Sequence, residues 1–363
     1  MKTGRRALLP KLLSGGKGDM TVYKTAREEI LKDWQANLQD FASEHEFPVE
    51  ATESLQDALE IIGADDRLYA IFRTWEENYW KDPDMDYQTL WATLEALDGT
   101  DGISKYTLEL LFIIGISRRT RELYEEQGIS MEIFHDSMAD MHWKLLECHK
   151  MYGIWGTFVI EWFPWWFRLK RFALGRLQFE RITFGDEYEK DGLILHKDSP
   201  VINVHIPSCG PLDPEAFKAS YAKAAEFYKE EFQDQPLVFV CNSWLLFPAH
   251  KEILPEYSNI RAFMNDFDVY KTNEDNGDLW RIYYGAEEKG FENLPENTGL
   301  ERAYKKWLMD GHMTGYARGV ICTVRNKAGI HERSAAQSQA RETIRVDIGK
   351  MLGRKCGKCG FFA

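Results

Sequence analysis

The stretch from Val201 to Phe247 constrains the fold of this chain more than any other. It opens with a short apolar run rich in β-branched residues, Val201 to Ile206, which predicts a buried strand. A small-residue turn, Pro207-Ser208-Cys209-Gly210-Pro211, follows. Asp213 and Pro214 then stand as N-cap and first helical residue, with Glu215 in the first turn. Phe217, Tyr221, Phe227 and Tyr228, with Ala224, recur at spacings of three, four and seven, which predicts one apolar face over a helix reaching about Phe232. Pro236 ends the segment, and LVFVCNSWLLF reads as a second buried strand. A strand–loop–helix–strand unit of this kind places its two strands parallel with a right-handed crossover. The loop feeds a helix N-terminus, where amides and the helix dipole favour an anion such as phosphate. The competing reading is an ordinary turn that holds nothing.

The rest of the chain divides around this unit. From residue 20 to 128 the periodicity is helical, with stops at Gly63, at Lys81-Asp82-Pro83, at Gly99 and at Gly128. This predicts an all-helical N-terminal domain. A second domain is expected over 129–316. Within it, FALGRLQFERITF reads as one alternating strand and GLILHKDSPVINVHI as two strands joined by a turn. DVYKTNEDNGDLWRIYYG reads as a hairpin around Asn276-Gly277. Thr298 and Glu301 predict a capping box for a closing helix. Residues 1–19 read as a disordered extension and 317–363 as a basic, disordered tail. The fold class expected is α+β.

Composition narrows the partners. The 363 residues carry a net charge of −13, which argues against a nucleic-acid partner for the folded body. Six cysteines without regular spacing fit reduced thiols and a cytoplasmic location. The most apolar run, Ile154 to Phe167, carries Glu161 and Pro164 and is too short to span a membrane. Its aromatic residues Trp155, Trp162, Trp165, Trp166 and Phe167 suit either a domain interface or the wall of a pocket. His135, His142 and His149 recur every seven residues, about 10 Å apart along one helix. One ion cannot take two of them from that helix, so no metal is expected there. Cys356 and Cys359 form a single Cys-x-x-Cys. Cys322 and His331 match no zinc spacing with them.

Several strings occur together in a fixed order: LGRLQFE from Leu174, VHIPSCGPLDPEA from Val204, CNSWLL from Cys241, LPEYSNI from Leu254 and TGLERA from Thr298. In this the chain resembles a bacterial N-acyltransferase family, from about Thr21 to Gly315. That family joins a helical N-terminal domain to a C-terminal domain like the Gcn5-related N-acetyltransferase (GNAT) fold. The resemblance implies that the two strands splay and that acyl-CoA enters between them. It further implies that pantetheine pairs with backbone near Val204 and Ile206. The pyrophosphate would rest on Ser208, Cys209, Gly210 and Leu212. This loop departs from the usual GNAT pattern of Gln/Arg-x-x-Gly-x-Gly/Ala, and Pro211 removes one N–H donor.

The implied reaction is direct attack of a small-molecule amine on the thioester. Tyr257 is placed by the resemblance as the acid for the departing thiolate. Asn242 and Ser243 are candidates to orient substrate or water, or else are hydrogen-bonded strand-end groups. His205 is either the general base or a packed histidine. Cys209 beside His205 is the weaker option of a covalent nucleophile. The alternative to an enzyme is a non-catalytic GNAT-like module that binds CoA or a nucleotide as a sensor.

Overall fold

A computed structural model describes residues 17–233, 236–326 and 329–332. It divides into two compact units, one ending at Leu169 and the other beginning at Lys170. The first unit is helical: α1 (Lys17–Glu44), α2 (Val49–Ala64), α3 (Asp66–Lys81), α4 (Tyr87–Glu95), α5 (Lys105–Glu126), α6 (Met131–Met138), α7 (Asp140–Tyr152) and α8 (Pro164–Phe167). Helix α5 is its centre. Leu108, Leu110 to Ile114 and Ile116 are all buried, so it is apolar around nearly its whole girth and the other helices wrap it. Side-chain caps start several of these helices: Asp65 accepts from Leu68 N–H, and Ser130 from Glu132 N–H.

The boundary was expected at residue 128, yet α6, α7 and α8 lie within the helical unit. Tyr79 on α3 gives the physical reason. Its hydroxyl bonds Thr120 Oγ1 at 2.9 Å and the Phe167 carbonyl at 3.0 Å, which seals the aromatic run against the helices. Among the described residues, no helix is long and apolar enough to cross a membrane.

The second unit is built on a mixed sheet. Its strands are β1 (Arg171–Leu174), β2 (Leu177–Thr183), β5 (Pro200–His205), β6 (Leu237–Ser243), β7 (Asp268–Glu274) and β8 (Gly315–Asn326). The order across the sheet is β1-β2-β5-β6-β8-β7, and β9 (Gly329–Glu332) adds to the far part of β8. Strands β3 (Tyr188–Lys190) and β4 (Leu193–Leu195) form a separate pair. Helix α9 (Pro214–Phe227) crosses from β5 to β6, which lie parallel. Short helices α10 (His250–Ile253), α11 (Asn259–Met264) and α12 (Trp280–Tyr283) precede α13 (Gly299–Met309). The Thr298–Glu301 capping box is present at the start of α13.

Alternation sorts the sheet's two faces. Val201, Val238, Val240 and Val320 join Phe184 and Leu195 in one core cluster. On the opposite face Phe179 and Phe239 meet Tyr221 of α9, with ring centroids 6.4 and 5.5 Å away. Each fully buried phenyl group contributes roughly 2–3 kcal/mol.

Three expectations are corrected. FALGRLQFERITF is not one strand: the chain reverses at Gly175-Arg176, and β1 pairs with β2 from Leu174↔Leu177 to Arg171↔Glu180. Asn276-Gly277 is not a hairpin turn. Asn276 Oδ1 accepts from Thr314 N–H at 3.0 Å, which brings β7 beside β8 instead. Residues 317–326 are not a disordered tail. They form most of β8, which pairs with both β6 and β7 because this is the partner β6 needs on its second edge. The remainder of the expected tail, from 333 onward, and the expected extension up to residue 16 lie outside the described residues.

Candidate active site

The site begins with an interruption in the sheet. Strand β5 keeps its antiparallel neighbour β2 to the end, with His205 opposite Gln178. Strand β6 keeps β8 to its own end, with Ser243 opposite Ala317. Yet β5 and β6 face each other in register only at Ile202↔Phe239 and Asn203↔Val240. Beyond that point each strand keeps its outer partner and no paired register joins the two. Val204 and His205 stand on one lip, and Cys241, Asn242 and Ser243 on the other. Backbone amides along such lips have no ladder partner across the gap, so an extended ligand carrying amides of its own fits there as an added strand.

The loop at the mouth, from Ile206 to Leu212, is tied down by Arg176. Its guanidinium donates to the carbonyls of Pro207 at 3.0 Å, Gly210 at 2.9 Å and Pro211 at 3.0 Å. Gly210 supplies the left-handed turn with φ of 91°. The start of α9 was expected to offer its first amides to an anion. Asp213 already occupies that role: its carboxylate accepts from Glu215 and Ala216 N–H, both at 3.0 Å. The positive charge at this mouth therefore comes from Arg176 as well as from the helix. Ser208 and Gly210 are exposed, Cys209 is half-buried and in no disulfide, and Leu212 is buried.

Beside the gap, on the sheet face away from α9, lies a buried polar chain. Arg171 donates to Glu180 Oε2 through Nε at 3.0 Å and Nη2 at 2.6 Å. The same oxygen lies 3.0 Å from His205 Nε2, and Asn203 Nδ2 lies 3.2 Å from that nitrogen. Burial alone would raise the Glu180 carboxyl; the His205 hydrogen bond and the Arg171 guanidinium outweigh it and hold it below its usual range. Burial pushes His205 down to about 4, although Glu180 opposes it. At neutral pH the ring is neutral and the carboxylate charged. This is an imidazole able to receive a proton, oriented by an anion that is itself held by a guanidinium.

The other expected residues are placed differently. Asn242 is exposed at the end of β6, on the lip of the gap. Ser243 Oγ accepts from Leu245 N–H at 3.1 Å and so caps the turn after β6, as the strand-end reading had it. Tyr257 sits in a turn after α10, 88% exposed, with no hydrogen-bond partner among the described residues. His205 is joined to a network through Glu180 and Asn203.

Glu180, Arg171 and Arg176 escaped the sequence reading, because all three depend on the hairpin at Gly175-Arg176. A second missed pair is His250 with Tyr304, 2.5 Å from Nε2 to the hydroxyl. His250 Nδ1 lies 3.2 Å from the Leu245 carbonyl, which selects the Nδ1–H tautomer and lets Nε2 accept from Tyr304. Both side chains are fully enclosed, and the pair fastens α10 to α13.

The comparisons agree with this architecture. Residues 36–169 match the N-acyltransferase N-terminal domain and residues 171–321 the GNAT-like C-terminal domain. The chain belongs to the N-acyltransferase family in which these two domains follow one another. It is similar in fold to an acyltransferase solved in complex with decanoyl-CoA. The TM-score is 0.62 at 20% identity, over 78% of this chain and 86% of that one. It is similar also to an acyltransferase in complex with decanoyl-CoA and teicoplanin, with TM-score 0.59 at 22% identity, over 78% and 87%. A third, an acyltransferase with CoA and 10C-teicoplanin, gives 0.58 at 21% identity, over 78% and 86%. At these identities the likeness is one of fold. No curated protein matches the chain in sequence.

Proposed function

We propose that this chain is an acyl-CoA-dependent N-acyltransferase that moves an acyl group from the CoA thioester to an amine by direct attack. The observation that carries the reading is the parting of β5 and β6 after Asn203 and Val240 while each remains bonded to its outer strand. Pantetheine takes the edge of Val204 and Ile206. The pyrophosphate takes the loop of Ser208, Cys209, Gly210 and Leu212, with Arg176 beneath it. The donors seen with the similar structures, decanoyl-CoA among them, support a medium-chain acyl group. Teicoplanin in one of them supports an acceptor amine carried on a glycopeptide or a comparable small molecule.

In the reaction the amine nitrogen bonds to the thioester carbon and the C–S bond breaks. His205, held by Glu180, takes the amine proton directly or through one water, and Asn242 positions that water or the acceptor. A backbone N–H on the gap's edge polarises the carbonyl oxygen. Tyr257, exposed and free to swing, is assigned the return of a proton to the CoA thiolate. Ser243 contributes by shaping the turn after β6.

The test is thiol release from decanoyl-CoA in the presence of an amine panel that includes a glycopeptide. With His205 as base, kcat/KM falls on the acid side near pH 4 rather than near 6.5, and His205→Ala lowers kcat about a hundredfold or more. Amine-dependent release that is unaltered in His205→Ala removes His205 from the mechanism. The alternative is a non-catalytic sensor; Asp213 takes helix-start amides that either reading would offer to phosphate, so turnover decides between them. CoA binding without thiol release against any amine in the panel would select the sensor.

A further inference from the structure

The helical unit holds a cluster that acyl transfer leaves unused. Helix α1 closes in a tight reversed turn: Phe47 N–H donates to the Ala42 carbonyl at 2.9 Å, and Glu46 adopts φ of 54°. This fixes Glu44 and His45 side by side. Helix α6 brings His135 against them, with its Nδ1 paired to Glu44. A carboxylate oxygen of Glu44 and one ring nitrogen from each of His45 and His135 all lie within 4.8 Å of one another.

His45 supplies an independent sign. The residue is only 6% exposed, and its Nε2 is buried with no hydrogen-bond partner. Buried polar atoms are normally paired, and an orphan costs on the order of 1–3 kcal/mol. The nearby His142, whose ring lies 6.2 Å from Phe47, also has a buried Nδ1 without a partner. Imidazoles left without protein partners beside a carboxylate are what a metal ion would complete.

We propose that Glu44, His45 and His135 form a binding site for a divalent transition-metal ion of the zinc class. Two imidazoles and one carboxylate are a donor set such ions accept, and a fourth position would remain for water. Arg121 donates to Glu44 Oε1 at 3.0 Å and Oε2 at 2.7 Å. It orients the carboxylate from outside the ligand set, and its charge tempers the affinity. The sequence hid this site because His45, in the turn after α1, and His135, on α6, are far apart in the chain; the run His135, His142, His149 was expected on one helix, and the structure instead divides it between α6 and α7.

The test uses the full chain, stripped of metal, titrated with Zn²⁺ by calorimetry and with Co²⁺ as a visible probe. One equivalent should bind, with a Co²⁺ spectrum free of thiolate charge-transfer bands. That spectrum sets the site apart from Cys356 and Cys359. His45→Gln and His135→Gln should each weaken Zn²⁺ binding at least about tenfold and abolish the rise in Tm that Zn²⁺ gives the parent chain. His135 is the more exposed position, so His135→Gln remains informative if His45→Gln fails to fold. No Zn²⁺ binding by the parent chain, or equal affinity in His135→Gln, overturns the proposal.

Discussion

Replacing Arg171 by methionine isolates the buried ion pair that orients His205. The two side chains are 4% and 6% exposed, so neither charge has much water to fall back on. Methionine keeps most of the volume but strips the carboxylate of two hydrogen bonds. Breaking a buried pair from one side costs about 3–5 kcal/mol. Without the guanidinium, burial dominates and raises the Glu180 carboxyl. The sign follows. A carboxyl with a raised folded pKa binds its proton more readily than in the unfolded chain, so the deficit of Arg171→Met is greatest at pH 7 and shrinks toward pH 5. Native-state hydrogen exchange on the β1 and β2 amides reads this in the sheet unit alone. The double variant Arg171→Met/Glu180→Leu should return to within about 1 kcal/mol of the parent chain. A loss below about 1 kcal/mol in Arg171→Met, or one that does not change between pH 5 and 7, refutes the reasoning.

Arg176→Ala should weaken CoA binding about tenfold or more by calorimetry, because the loop loses both its clasp and a positive charge; unchanged affinity would place the phosphates elsewhere. Gly210→Asp should weaken CoA binding more than Gly210→Ala does. Both share the strain of φ 91°, so the difference reports the carboxylate, and equal affinities would remove phosphate from that loop. His250, buried and pushed down to about 4, stabilises the fold fully above pH 6.5 and loses that contribution as pH falls toward 4. The loss is on the order of 3 kcal/mol, and His250→Gln should flatten that limb in acid unfolding followed by circular dichroism; an unaltered limb would assign the acid sensitivity to other groups.

The parts of this fold that local chemistry dictates could be read from the residues. Asp213-Pro214 starts α9, Thr298 and Glu301 form their box, and the β5–α9–β6 crossover follows from one apolar run, one amphipathic helix and another apolar run. What local chemistry does not carry was missed. A two-residue turn reverses the parity of alternation: Leu174 and Leu177 would face opposite sides of a single strand, yet they pair on one face across the hairpin, and a turn without proline or an Asn-Gly pair gave little local sign of it. With the hairpin went the contact between Arg171 and Glu180, and with it the reason His205 is oriented. Asn276-Gly277 has hairpin chemistry, yet Gly277 N–H bonds Asp275 Oδ1 at 2.8 Å and Asn276 reaches Thr314, far along the chain. Strand β8 looks basic and Gly-rich, but Gly319 packs so closely that a Cβ there would meet Phe267 Cβ at 2.8 Å. Its place is decided by neighbours the sequence does not show side by side.

The parting of β5 and β6 is tested most directly by amide exchange with and without CoA. Binding should slow exchange over residues 203–212 and 241–243 and leave β2 and the helical unit unaltered. Protection of a different region by bound CoA, with these two lips exchanging as before, would contradict a gap built to receive the thioester.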